Sequence, residues 1–295
     1  MTNTFTQTSR NLGVKFEFDN FIIREQDRRR IIDEFCRAIQ ESVRKDGINM
    51  CLIVIPSFLK QSYPQIKKSC LSEIGIVSQC VVESTLRKKN LQSIATKLLL
   101  QMIAKIGNVL WVPKVSTDTR GYMLIAFDTA KANGKNVISC VATANESFSN
   151  FYAKSSLYSD NNDKFNEMVK LCFQGINYCA KKNSSNIREV IIFHNSCTED
   201  QATLFREFFL DGLKRNMQEL GRELPNVTLV MVNTKTNERF FASDSRGYSN
   251  PLAGTLISES IVSENYDFYL VSQFSNRGCT VPNHYKVIYT DSKME

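Results

Sequence analysis

Histidine is scarce in this sequence, at two residues in 295, and the nine cysteines form no Cys-x-x-Cys pair. A zinc framework needs closely spaced nitrogen and sulfur ligands, and a disulfide scaffold needs an ordered cysteine pattern, so neither is supported. Free thiols in a reducing compartment are the simpler reading, which places the chain in the cytoplasm or nucleus. Long apolar runs are also missing. No stretch approaches the roughly 18 apolar residues of a membrane span, and Met1-Thr2-Asn3-Thr4 does not open a signal peptide, so no membrane is expected as a partner. Low-complexity tracts and internal repeats are absent. With 42% hydrophobic residues over this length, the chain can bury a core in each of two compact modules.

What is present in excess is positive charge. A formal charge of +7 and a pI near 8.9 favour a polyanionic partner, because Lys and Arg gain free energy by releasing counterions condensed on phosphates. Arg28-Arg29-Arg30, Arg87-Lys88-Lys89 and Lys181-Lys182 are the densest runs. Each taken alone is also an ordinary solvated face.

Periodicity orders the elements. Ile31, Ile32, Phe35, Ile39 and Val43 share one stripe of a helix over 27–45 that stops at Gly47. The apolar run 50–55, ended by Pro56, reads as a strand covered on both faces. A helix over 63–74, closed by Gly75, and a strand over 76–82 complete a βαβ unit, and a long amphipathic helix over 91–106 stops at Gly107. The second half predicts a strand over 122–127, a hairpin partner over 137–142, a helix over 165–180, a strand over 190–193, a helix over 199–220 and a strand over 227–232. Residues 113–119 and 242–250 read as loops. Hairpins first and alternating elements afterwards imply a mixed α/β sheet of ribonuclease-H type.

Certain polar residues fall where they can converge. Tyr63 and Lys67 are four apart on one helix, Gln79 stands on the next strand, and Gln101 and Lys105 share a face of the long helix. An aromatic hydroxyl, two ammonium groups and two amides would make a phosphate clamp, with the ring free to stack on a base. Spacing alone leaves each of them equally readable as a surface polar group.

Tyr63-Pro64-Gln65-Ile66-Lys67, Ser78-Gln79-Cys80-Val81 and Leu100-Gln101-Met102-Ile103-Ala104-Lys105-Ile106-Gly107 resemble the guide 5′-end pocket in the MID domain of the Argonaute/PIWI family. Asp267-Phe268-Tyr269-Leu270-Val271-Ser272-Gln273, followed by Arg277-Gly278-Cys279-Thr280-Val281-Pro282-Asn283-His284-Tyr285, resembles the end of that family's PIWI domain. The resemblance covers about residues 50–291. Gln101 together with Trp111 is closer to the PIWI branch, and Asn108 departs from the family's second glycine. What the resemblance implies is a Rossmann-like MID-type half followed by a ribonuclease-H-like PIWI domain: an extension over 1–20, a MID-like region over 21–112 and a PIWI domain over 113–295. Tyr63, Lys67, Gln79, Gln101 and Lys105 would bind the guide's 5′ phosphate. Small guide RNA and complementary target RNA would be the partners, with silencing-complex proteins besides. The amino-terminal and PAZ domains of a full Argonaute have no room before residue 20, so a fragment or a shortened paralogue is expected.

The resemblance also carries a cutting site, and here the chain departs from it. Asp128 matches the family's first catalytic Asp and His284 its closing His, so both become candidate ligands for Mg²⁺; Mg²⁺ at the guide phosphate is the other expectation. Phe193-His194-Asn195-Ser196 stands where the family has an Arg and then a catalytic Asp, so Asn195 contributes no charge to a metal. Lys164, beside Asp163, falls near the family's additional Glu, with Glu167 as an unorthodox substitute. Gln201 and Asn237-Glu238-Arg239-Phe240-Phe241 mainly support the alignment. The set Asp128, Asn195 and His284 is therefore expected to be degenerate and without slicer activity. A guide-directed, Mg²⁺-dependent endoribonuclease and a protein-interaction module of a silencing complex are the alternatives.

Overall fold

The computed structural model describes residues 2–16, 30–114, 118–183, 187–195, 199–245, 247–262, 266–275 and 277–292. The chain divides into two compact units, Met1–Trp111 and Val112–Glu295.

The first unit contains α1 (Thr2–Asn11), α2 (Ile31–Asp46), β1 (Met50–Ile55), α3 (Tyr63–Lys68), β2 (Val77–Val82), α4 (Glu83–Leu86) and α5 (Leu91–Lys105). β1 and β2 pair in parallel, from Met50 opposite Val77 to Ile55 opposite Val82. Alternation along β1 divides its side chains between two cores. Cys51, Ile53 and Ile55 join Ile31, Ile39 and Ile66, whereas Met50, Leu52 and Val54 pack with Leu98, Leu99 and Met102 of α5. The strand is thus covered on both faces, as its unbroken apolar run predicts. Before α3 the chain makes a 3-10 turn, Ser57–Ser62, and after it a π-helical turn, Ser69–Ile74. Gly75 then turns left-handed at φ 75°, and the Ile76 N–H donates to the Cys70 carbonyl at 2.8 Å. Residues 2–11, read as part of an extension, instead form a helix that belongs to the second core: Phe5 is 2% exposed, and Gln92 Nε2 on α5 donates to Thr8 Oγ1 at 2.8 Å. The expected start of the next helix, at Asp27, lies outside the described residues.

The second unit contains β3 (Tyr122–Ala132), β4 (Lys135–Thr143), β5 (Phe151–Tyr158), α6 (Asn161–Asn183), β6 (Glu189–Asn195), α7 (Glu199–Glu219), β7 (Asn226–Asn233), β8 (Ala242–Asp244), β9 (Gly247–Ser249), β10 (Leu256–Ile257), β11 (Asp267–Leu270) and β12 (Asn283–Thr290). Eight strands form one mixed sheet in the order β10-β11-β12-β7-β6-β3-β4-β5. β3, β6 and β7 are parallel, and the outer neighbours are antiparallel. Asn133 and Gly134, at φ 50° and 74°, make the tight β3–β4 turn. Met123, Ile125, Phe127, Ile138, Cys140, Val190, Ile192 and Leu229 cover one face of the sheet against Met168, Leu171 and Cys172 of α6 and Phe205 and Phe209 of α7. α6 and α7 approach closely because position 212 is glycine: a Cβ there would lie 2.9 Å from Val169 Cγ2.

Two readings of the sequence are corrected here. β5 was not expected at all, and residues 242–250, read as a loop, include the β8–β9 hairpin. The expected mixed α/β sheet of ribonuclease-H type is present.

Candidate functional site

In the first unit the two predicted lysines meet on one backbone carbonyl. Lys67, one turn into α3, donates through Nζ to Ser78 O at 2.8 Å and to Ser78 Oγ at 2.7 Å. Lys105, in the last turn of α5, donates to the same Ser78 O at 3.1 Å and to Gln79 Oε1 at 2.7 Å. Gln79 is buried, at 8% exposure. Its amide nitrogen donates to Gln101 Oε1 at 2.9 Å and to the Cys80 carbonyl at 3.2 Å, so its oxygen is aimed at Lys105. Tyr63 opens α3 with its ring 47% exposed; among the described residues no hydrogen bond ties it to the cluster. Ser78 is the member that sequence reasoning missed, since a backbone carbonyl carries no side-chain signature.

The electrostatics of this cluster are one-sided. Burial and the neighbouring Lys67 ammonium lower the Lys105 pKa below the usual lysine range. Among the described residues neither lysine makes an ion pair with a carboxylate. Burial pushes the Cys70 and Cys80 thiols up, so they stay protonated and supply no counter-charge. Each ammonium has three donor protons, and neither engages more than two acceptors here. Two cations held together with donors to spare have the chemistry to coordinate an anion with several oxygens.

In the second unit, parallel pairing sets Phe127 opposite His194. The next residues, Asp128 and Asn195, then lie side by side on the face away from α6 and α7, and the Asn195 Nδ2 amide donates to Asp128 Oδ1. That oxygen also accepts the Thr129 N–H at 2.8 Å. An amide nitrogen therefore occupies the position beside the carboxylate where a cation would have to sit. His194 points the other way, into the core. It is 6% exposed, its ring lies 5.0 Å from that of Phe205, and its Nδ1 donates to the Asn195 carbonyl at 2.5 Å. Burial first, and then the Lys164 charge, push the His194 pKa down to about 4.

The expected third ligand is not brought to this place. Asn195 pairs with Val232 and Val232 with Tyr285, so His284 is two strands away and one residue out of step, which turns it to the opposite face. Its Nε2 is engaged by the Asp267 carboxylate, and its ring stacks on Tyr269 with centroids 4.3 Å apart. The structure thus places His284 with Asp267 and does not bring it beside Asp128, the partner expected for it in metal binding. Asp163 caps α6 by accepting the Ser159 N–H at 2.7 Å. Glu167 binds Lys170 at 2.9 Å and is held below the usual carboxyl range by Ser156 of β5 and by Lys170, two strands away from Asp128. Among the described residues no group of three or more His, Cys, Asp and Glu could hold a metal ion. The donor set around Asp128 does not fit Mg²⁺, a hard cation that binds through carboxylate oxygens.

Two lysines converge beside a βαβ unit, and the ribonuclease-H-like sheet carries on its first strand an aspartate paired to an amide: together these define a two-part α/β protein of the Argonaute and Piwi type. The Piwi domain family matches residues 50–295, and the chain belongs to that family. It is 26% identical to Piwi-like protein 1 of Danio rerio over its whole length, covering 34% of that protein. It is 29% identical to Piwi-like protein 1 of Gallus gallus over 89% of the chain, covering 31% of that protein. The chain thus spans about a third of the length of these curated relatives. Its fold is shared with the crystal structure of Drosophila Piwi, at TM-score 0.84 and 22% identity, over all of this chain and 40% of that one. Kluyveromyces polysporus Argonaute, solved with a guide RNA, has a TM-score of 0.79 at 16% identity, over 99% of this chain and 39% of that one. Among the described residues no helix is long and apolar enough to cross a membrane.

Proposed function

We propose that this chain is a guide-binding MID–PIWI lobe acting in RNA silencing, which holds a small RNA by its 5′ phosphate and pairs it with a target without cutting it. The observation that carries the reading is the convergence of Lys67 and Lys105 on Ser78 O, with Gln79 and Gln101 fixed around them. A terminal phosphate would accept the spare ammonium protons and relieve the repulsion between the two charges, and the exposed Tyr63 ring is available to stack on the first base. Family membership and the guide RNA in the Kluyveromyces polysporus structure support the same ligand class. The non-cutting half of the proposal rests on the Asn195–Asp128 bond and on His284 being turned to Asp267. The described cysteines are free, in keeping with a reducing compartment, cytoplasm or nucleus.

The test compares 5′-phosphorylated and 5′-hydroxyl guides of one sequence at fixed salt. Charged hydrogen bonds contribute about 1.5–3 kcal/mol each, so the phosphate should improve affinity by about ten-fold or more, and Lys67→Ala should erase most of that difference. Equal affinities would remove the clamp. Magnesium accompanying the phosphate would appear as EDTA sensitivity of the phosphorylated guide alone. Sequencing RNA that co-purifies with the chain addresses the protein-interaction alternative, which expects no uniform small RNA.

A further inference from the structure

We propose that β5 is a homodimerisation edge, at which two copies of this chain pair antiparallel and continue one sheet across the interface. The proposal does not depend on the guide clamp. β5 ends the eight-stranded sheet, and beyond it no strand among the described residues pairs with it. Such edges are usually blunted by proline, by several charges or by a covering element. Phe151-Tyr152-Ala153-Lys154-Ser155-Ser156-Leu157-Tyr158 has no proline and a single charge. Phe151 and Leu157 are 57% and 54% exposed on it, beside the exposed Val141 of β4.

What selects a second copy as the occupant is self-complementarity around Ser155. A two-fold axis there keeps the two helix-bearing faces on the same side and sets Lys154 opposite the partner's Ser156, Ala153 opposite Leu157, and Tyr152 opposite Tyr158. An axis at Lys154 would oppose two ammonium groups. Among the described residues Lys154 makes no hydrogen bond or ion pair. Across the proposed interface it would face Ser156 and come near the Glu167 carboxylate, whose ion pair among the described residues is with Lys170 of its own helix, so the approach brings opposite charges together. The helix spacing also fits. α6 packs over β4 and β5, so continuing the sheet by one strand sets the two α6 helices about 10 Å apart, a normal helix-packing distance.

The test is sedimentation velocity of the 295-residue chain over a two-decade concentration series, combined with site-directed cross-linking. The expected result is a monomer–dimer equilibrium that Lys154→Glu weakens by about ten-fold and Lys154→Arg preserves. In a Cys197→Ser, Cys279→Ser background, which removes the one exposed thiol among the described residues and the cysteine outside them, Ser155→Cys should form a disulfide-linked dimer under mild oxidation. Ala153→Cys should not, because in this register it faces Leu157 rather than itself. A chain that stays monomeric throughout would overturn the proposal, as would a dimer indifferent to Lys154→Glu or one cross-linked equally well through position 153. Amide exchange keeps the result interpretable if a variant folds poorly: β5 amides of the unmodified chain should gain protection with concentration, and unchanged exchange counts against the interface.

Discussion

Asn195→Asp is the substitution that most directly probes how Asp128 and Asn195 are held together. It exchanges an amide that donates to Asp128 Oδ1 for a second carboxylate at hydrogen-bonding distance from the first. Two unit charges about 4 Å apart repel by about 1 kcal/mol in bulk water and about 4 kcal/mol at the effective dielectric near a protein surface. A lost hydrogen bond to a charged group adds about 1.5–3 kcal/mol when buried. Both residues are exposed, so solvent screening brings the sum to about 1–2 kcal/mol at neutral pH. In a unit of this size, that corresponds to a fall of roughly 2–8 °C in the melting temperature. The repulsion requires both groups to be ionised, so the deficit should shrink as the pH is lowered far enough to protonate one of the pair. Asn195→Ala removes the donor without adding charge and should cost less than Asn195→Asp. Melting followed by circular dichroism at pH 7 and pH 4 measures all of these terms. An Asn195→Asp chain as stable as the parent at pH 7, or an Asn195→Ala chain less stable than Asn195→Asp, would refute the account of this pair.

Three further outcomes follow from the geometry. His194 stays neutral in the folded chain down to about pH 4, whereas unfolded histidine titrates near its ordinary value. Its contribution to stability is therefore present above roughly pH 6.5 and lost as the pH falls through about 4, on the order of 3 kcal/mol in all; His194→Phe should flatten that part of a urea-stability profile. Gly212→Ala drives a Cβ to 2.9 Å from Val169 and should cost about 1–3 kcal/mol, with Val169→Ala recovering part of it in a double-mutant cycle. Raising the pH toward the lowered Lys105 pKa should weaken phosphorylated-guide binding before it affects hydroxyl guides, because the clamp loses one of its two charges. Unchanged discrimination across that range would show that Lys105 does not contact the phosphate.

The sequence was most legible where burial imposes a pattern. β1, β6 and β7 are mostly apolar runs because both faces or one deep face are covered, and α2 and α5 stand out by their stripes. β5 escaped because it is an edge strand: Ala153, Lys154 and Ser155 are all exposed, so neither face imposes a period of two. Ala242–Ser249 escaped for a similar reason, its two strands being three residues each and exposed throughout. Helix α1 gave little signal because its buried residues include Thr8 and Ser9 beside a single Phe5. At the candidate sites, side-chain identity located Lys67, Gln79, Gln101 and Lys105, but their common acceptor is a carbonyl. The placing of His284 depended on strand register. Only the pairing of Asn195 with Val232 and Val232 with Tyr285 reveals that His284 faces away from Asp128.

The central claim, a guide holder that does not cut, is tested most directly by one assay. The chain is loaded with a 5′-phosphorylated guide and given a complementary target labelled at one end, with Mg²⁺ or Mn²⁺. Retained and cleaved target are then measured together. The account predicts target retention that depends on the guide's sequence and 5′ phosphate, with no product at a fixed position along the guide. A discrete guide-positioned product that disappears in Asp128→Ala would contradict it.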